Sequence, residues 1–265
     1  DMDLAGVLST GVSTLYKNGS GVLTLSGPGN NTFTASAIVY GGKLVLNKSG
    51  TAYAISSGNV GVYSGGFLQY AAGNPNNNQI NSGGIYLYGT GQLDFNGATD
   101  TIGCITNYSY SGAACDTFPV INTAGGGNLT ITTLGITPTP GYLTTMDSGT
   151  GKLTLGGNVT FYANLDGRAK ISGKLDLGAA HRTFSVADGL HPEYDLLVDA
   201  DISSSSGAFG ITKTTAGGRL VLSGNNAYTG ITYHNSGYLR ARDNPNALGA
   251  CAATNALPLN ESTVL

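Results

Sequence analysis

Reactive chemistry in this chain would have to come from three cysteines, three histidines and a scatter of aspartates. Cys104 and Cys115 enclose a ten-residue insert rich in Ser, Gly and Ala, ITNYSYSGAA, whose ends can meet, and the pair is expected to form a disulfide. Closing a loop of that length would stabilise the fold by up to about 3 kcal/mol. Its persistence would imply an oxidising compartment, which favours a place outside the cell. Cys251, in ALGACAATNA, is left over, either as a buried thiol or as a link to a neighbouring chain. A metal centre needs more ligands than this. His181, His191 and His234 lie far apart and form no HxH or HExxH spacing, so no metal ligand and no cofactor is assigned.

The densest group of acids is Asp195, Asp199 and Asp201 in YDLLVDADIS. On one strand Asp199 and Asp201 would point to the same side, an arrangement suited to the metal or acid/base site of a polysaccharide lyase or hydrolase. A solvated strand face is the plainer reading and the one preferred. Asp94 and Asp176 recur at one position of two alignable segments, LDFNGATDTI (93–102) and LDLGAAHRTF (175–184), and are expected to face solvent without a catalytic role. His181 and His191 read as surface residues, no GxSxG is present, and no residue is assigned a catalytic part. Seven Asn-x-Ser/Thr sequons are close to what 23 Asn produce by chance in a chain this rich in Ser and Thr. The 15 Tyr, with Tyr86, Tyr88, Tyr108 and Tyr110 clustered, offer rings that stack on sugars or simply clothe the outside of strands; the second use is favoured.

The elements that would position these residues are strands. Charged residues are 10 % of the chain, Gly is 42 of 265 and the net charge is -3, while 40 % of residues are hydrophobic. Collagen lacks its period and disorder lacks its composition. No cationic surplus exists to hold nucleic acid, and no apolar run is long enough for a membrane helix, so neither nucleic-acid binding nor membrane insertion of this segment is expected. Short stretches alternate apolar and polar residues between glycines, as in GVLTLSG (21–27), GGIYLYG (83–89), GKLTLGG (151–157) and GRLVLSG (218–224). That period of two marks half-buried strands, and helix formers are scarce. The reading is all-β.

The strands recur. The segment 21–44 aligns with 218–239, and 151–175 is a looser third copy. Successive Gly-led strands are roughly 20 residues apart in each copy, the size of one solenoid coil. That spacing predicts a single elongated β-solenoid over 1–265, a parallel β-helix of about twelve coils and a rod of roughly 60 Å. Asn30, Asn158 and Asn225 at equivalent turns are expected to form an amide ladder, and Phe33, Phe161 and Tyr228 an aromatic column. The segments 104–115 and 136–148 are expected as loops free to make contacts.

The string ITKTTAGGRLVLSGNNAYTGITYHNSGYLRARDNPNALG (211–249) resembles the autotransporter-associated β-strand repeat, matching its Leu-x-Leu-Ser-Gly at Leu220 to Gly224, its Asn-x-Tyr-x-Gly at Asn226 to Gly230, and its Ala-Leu-Gly at Ala247 to Gly249. The segment 17–50 is a second copy, and the similarity covers most of the chain, most weakly at 104–127 and 136–148. The resemblance implies a right-handed parallel β-helix exported across a bacterial envelope and displayed at the cell surface or released. It also suggests one segment of a longer repetitive protein, or a subunit that stacks on copies of itself. The expected function is a non-enzymatic extracellular stalk, coat or self-assembling fibre, whose partners are copies of itself, end to end or side by side. The second reading is an adhesin binding surface glycans through its Tyr-bearing strands, and a lyase stands third.

Overall fold

The computed structural model describes residues 1–9, 11, 13–75, 78–108 and 115–250. Those residues form 24 strands and no helix, so none is long and apolar enough to cross a membrane. All of the strand pairs are parallel, each strand bonding to its counterpart one coil earlier and one coil later. One sheet of eleven strands runs from Met2–Leu4 to Tyr238–Ala241. A second, of thirteen, has a main path of ten strands from Leu15–Lys17 to Thr232–His234. The chain is a parallel β-solenoid.

A third face appears midway. Strands Thr99–Tyr108 and Asn128–Thr137 are ten residues long, and their first halves extend round a corner to carry Lys152–Leu155, Lys174–Asp176 and Asp201–Ser203 in a separate stack. Inward positions are filled by Leu, Ile, Val and Phe. In register, Leu23, Leu44, Leu68, Leu93 and Val120 follow one another up the first sheet, all buried. A single coil cannot bury such residues, so each depends on its neighbours, and one core cluster runs through the whole stack.

The corners are where glycine is required. Gly42 has φ 62° and Gly237 φ 79°, and a Cβ on either would lie 2.7 Å from a buried lysine Nζ, that of Lys17 and of Lys213 respectively. Both the left-handed backbone and the ammonium packed beneath it exclude any other residue.

The ten strands of the second sheet's main path mark about 9 turns, not twelve. The short coil that leads from Leu23 to Leu44 is typical only of the ends; in the middle, the steps from Leu93 to Val120 and from Ile171 to Val198 are longer by several positions. The extra residues build the third face, and nine steps of ~4.8 Å shorten the rod to roughly 45 Å. The expected loop 136–148 is mostly strand, since its ends belong to Asn128–Thr137 and Leu143–Asp147, with Met146 in the core. Copies 17–50 and 211–249 occupy equivalent places, but the third is displaced. Its Lys152–Leu155 strand lies on the third face, whereas Val22–Gly27 and Arg219–Leu222 lie in the eleven-stranded sheet.

Candidate functional site

Most polar side chains inside the solenoid join one coil to the next. Lys17 donates to the carbonyls of Asn18, Gly19 and Gly41, the last one coil on, at 2.8–2.9 Å. Lys213 does the equivalent with Thr214, Thr215, Val186 and Ser236, and burial lowers its pKa to about 8. Asn31 accepts from Leu8 N at 2.9 Å and donates to Ala54 O at 2.9 Å; Asn226 accepts from Ile202 N at 2.8 Å and donates to Ala247 O at 2.6 Å. Each therefore ties three coils together.

The paired aspartates behave in the same way. Asp94 and Asp176 are fully buried rather than solvent-facing. Asp94 accepts from Asn96 N and Thr123 N, and Asp176 from Gly178 N and Ser205 N, equivalent partners in both cases. Lys152 Nζ adds an ion pair to Asp176 at 2.8 Å. Burial would raise Asp176, but the bonds from Lys152, Ser205 and Gly178 outweigh it, and its pKa falls below the ordinary value. The alternation hid this, because an aspartate closing a tight turn folds back onto backbone N–H groups instead of projecting outward.

The three acids of the lyase reading are not gathered. Asp195 is buried against Gly189 N and Arg219 N, with burial pushing its pKa up. Asp199 pairs with Lys170 at 2.9 Å and accepts from Ser172 at 2.7 Å. Asp201 begins the third-face strand Asp201–Ser203 and accepts from Asn225 N at 2.8 Å. The bend at Ala200 puts Asp199 and Asp201 on different faces, correcting the expectation of a shared one. His181, His191 and His234 are half-buried, bonded respectively to Thr212, Arg168 and the Gly237 carbonyl. Among the described residues no three metal-ligating side chains converge.

Cys104 and Cys115 are free thiols, so the expected disulfide is not formed. Cys104 lies in the thirteen-stranded sheet, its Sγ filling the space over Gly84 beside Tyr86, while Cys115 is exposed next to Thr117–Ile121 of the other sheet. The two cysteines thus lie with different sheets, and they no longer argue for an oxidising compartment. Tyr110 and Cys251 lie outside the described residues. Asn30, Asn158 and Asn225 stand at turns several coils apart and make no ladder; Asn30 accepts from Tyr53 N at 2.8 Å and Asn158 from Thr183 N at 2.9 Å, both one coil on. Phe33, Phe161 and Tyr228 are buried core residues, equally far apart along the stack.

The outer surface of the first coils carries a feature of another kind. Tyr40, Tyr63, Tyr88 and Tyr108 stack in consecutive coils with ring centroids 4.8, 4.5 and 5.3 Å apart. Tyr16 lies parallel to Tyr40 at 6.4 Å, and Tyr86 parallel to Tyr108 at 6.4 Å. Tyr86 has a raised pKa, first through its hydrogen bond with the Cys104 thiol. Beside the column opens a shallow groove of about 250 Å³ lined by Ser36, Ile38, Asn59, Gly61, Tyr63, Tyr86 and Tyr88. The clustering of Tyr86, Tyr88 and Tyr108 was visible in the sequence. Tyr16, Tyr40, Tyr63 and Gly61 were missed, although the near-even steps from Tyr16 through Tyr40 and Tyr63 to Tyr88 carried the coil period.

One carboxylate in the interior is set apart. Asp100, buried, accepts from the Tyr70 hydroxyl, Gln79 N, Ile80 N and Thr101 N, and burial raises its pKa to about 6 against those hydrogen bonds.

Fold and surface together define a β-solenoid with a polar-stitched interior and a tyrosine-faced groove. Comparison with family models, curated proteins and solved structures returned no match.

Proposed function

We propose that this chain is a rigid structural element of a bacterial cell surface or of an extracellular fibre, a stalk or coat segment rather than an enzyme. The observation that carries this reading is the use of the buried polar groups. Lys17, Lys213, Asn31, Asn226, Asp94, Asp176 and Asp195 all bond across to a neighbouring coil, so groups capable of chemistry stiffen the stack instead. In this reading the coil is right-handed, the hand of nearly all parallel strand crossovers. The bacterial surface comes from the resemblance of 17–50 and 211–249 to the autotransporter-associated repeat. Copies associate end to end or side by side into longer fibres.

Cryo-electron microscopy of concentrated protein tests it: straight rods or filaments with a ~4.8 Å axial repeat are expected. Product release from acidic polysaccharides in the presence of Ca²⁺, lost in Asp199→Ala, would overturn the reading in favour of a lyase.

A further inference from the structure

Gly61 is a glycine that its backbone does not need. Its φ lies outside the left-handed region, and a Cβ there would meet only side-chain ends, Ile38 Cδ1 at 3.1 Å, Tyr63 Cε2 at 3.3 Å and Tyr88 Cε2 at 3.9 Å. Gly58 and Gly83 differ, because a Cβ on either would lie 1.9 or 2.1 Å from a carbonyl oxygen of the preceding coil. Those two are required by close packing of the chain. What the missing side chain of Gly61 provides is a low floor to the groove, buried and closely flanked by Ile38 and Tyr63.

That floor has a defined place. In register, Gly61 sits between Ile38 and Tyr86 on the outward face, in the row beside the unbroken Tyr40–Tyr63–Tyr88–Tyr108 column. Tyr86 is flanked by the parallel ring of Tyr108 on the far side and borders the opening on the near side. At the rim, Asn59 Oδ1 accepts from Gly84 N at 2.9 Å, which fixes the amide and leaves Nδ2 for a ligand.

We infer that this groove binds a neutral sugar ring of a surface glycan, seated over Gly61 against Tyr86. Three observations select that occupant. The walls combine flat aromatic surface with hydroxyl and amide groups, matching a pyranose, which has an apolar C–H face and a rim of hydroxyls. The surroundings carry almost no charge: no carboxylate lies between Asp3 and Asp94, and of the three lysines there, Lys17 and Lys48 are buried. An anionic glycan would find no cation to pair with. The volume, about 250 Å³, is just under the ~300–1,000 Å³ of sites for drug-sized ligands, which fits one ring rather than a peptide segment. The inference stands independently of the rod reading, since a groove on one face does not require that copies assemble.

The test is titration of the 265-residue chain with neutral hexasaccharides of glucose, galactose and mannose, read by calorimetry and by tyrosine fluorescence, which no Trp obscures. Saturable binding of at least one is expected, with none of a uronic-acid hexasaccharide. Gly61→Val puts a branched side chain into the opening, with Ile38 Cδ1 and the edge of the Tyr63 ring giving way by a few tenths of an ångström, and should weaken binding about tenfold while the far-UV circular dichroism stays that of the wild type. Should that variant misfold, Tyr86→Ala on the same groove puts the same question, and Tyr238→Ala on the other sheet should bind as wild type. Absence of binding to all three neutral sugars, or binding indifferent to both groove variants, overturns the inference. So does a dimer in sedimentation that Gly61→Val dissociates, because the face would then belong to a second copy.

Discussion

The first four coils and the last three share one backbone plan and clothe it differently. From Leu4 to Leu93 the chain has no carboxylate and three lysines, whereas from Arg168 to Arg242 it holds all five arginines and six acids. The outer face of the early coils is a column of stacked tyrosines. That of the late coils is fastened by Lys170–Asp199, Arg219–Asp188 and Arg242–Asp243, with Arg219 also over the Tyr238 ring at 5.4 Å. Inside, the two regions are alike: Lys17 and Asn31 have the same roles as Lys213 and Asn226. The interior therefore sets the fold, and the exterior is free to diverge for other purposes.

The strongest way to break this comparison is to remove its shared part. Asn31→Ala and Asn226→Ala each leave one backbone N–H, part-buried at Leu8 and buried at Ile202, and one buried C=O without a partner, at ~1–3 kcal/mol apiece. About 4 kcal/mol should be lost at each site, measured locally by amide hydrogen exchange because solenoid coils open separately. Losses differing by more than about 2 kcal/mol would show that the two interiors are not equivalent.

The next effect belongs to the boundary between the regions, at Asp100. Its proton is held to a pH of about 6 in the folded chain and released near 3.8 in the unfolded one. Between those values the folded state binds more protons, so stability falls as pH rises and levels off above about 6. A gap of about 2 units corresponds to about 3 kcal/mol. Wild type should thus lose more stability, or gain less, than Asp100→Asn as pH is raised from 4 to 7. Parallel pH profiles for the two proteins would refute the assignment.

How much of this was legible beforehand follows from the same inside–outside division. Alternation such as Leu23-Thr24-Leu25 reported an inward and an outward side, and hence the strands and their stacking. It did not report which face of the solenoid a strand joins. GKLTL at 151–155 and GVLTL at 21–25 read alike, yet one is on the third face and the other in the eleven-stranded sheet. The coil count failed for that reason, being scaled from coils without a third face. A pair of asparagines at a turn does not announce which one points inward, so the sequence points to Asn30 and Asn225, while their neighbours Asn31 and Asn226 are the ones buried between coils. The tyrosine column was within reach, because its members recur at one coil period, but Gly61 was not, since only the structure separates a glycine demanded by backbone from one that leaves room.

Removing a ring sharpens the comparison from the other side. Tyr63→Ala breaks contacts with Tyr40 and Tyr88, and ring pairs are worth ~0.5–1.5 kcal/mol each beyond buried area. About 2 kcal/mol should be lost in the early coils, with exchange in the late coils unchanged. A loss that spreads to the segment 168–242 would mean that the stack behaves as one cooperative unit.

The smallest effect addresses the charge asymmetry itself. Raising NaCl from 0.1 to 1 M shortens the screening length from ~10 to ~3 Å. The late-coil ion pairs are partly exposed, and such pairs contribute ~0–1 kcal/mol each. The early coils have ring stacking and apolar burial, which monovalent salt does not screen. Amide exchange in 168–242 should therefore accelerate about threefold while that in 15–70 holds steady or slows. Equal acceleration in both regions would show that the ion pairs contribute nothing beyond what the shared interior supplies, leaving the arginines of the late coils free for a partner rather than engaged in the fold.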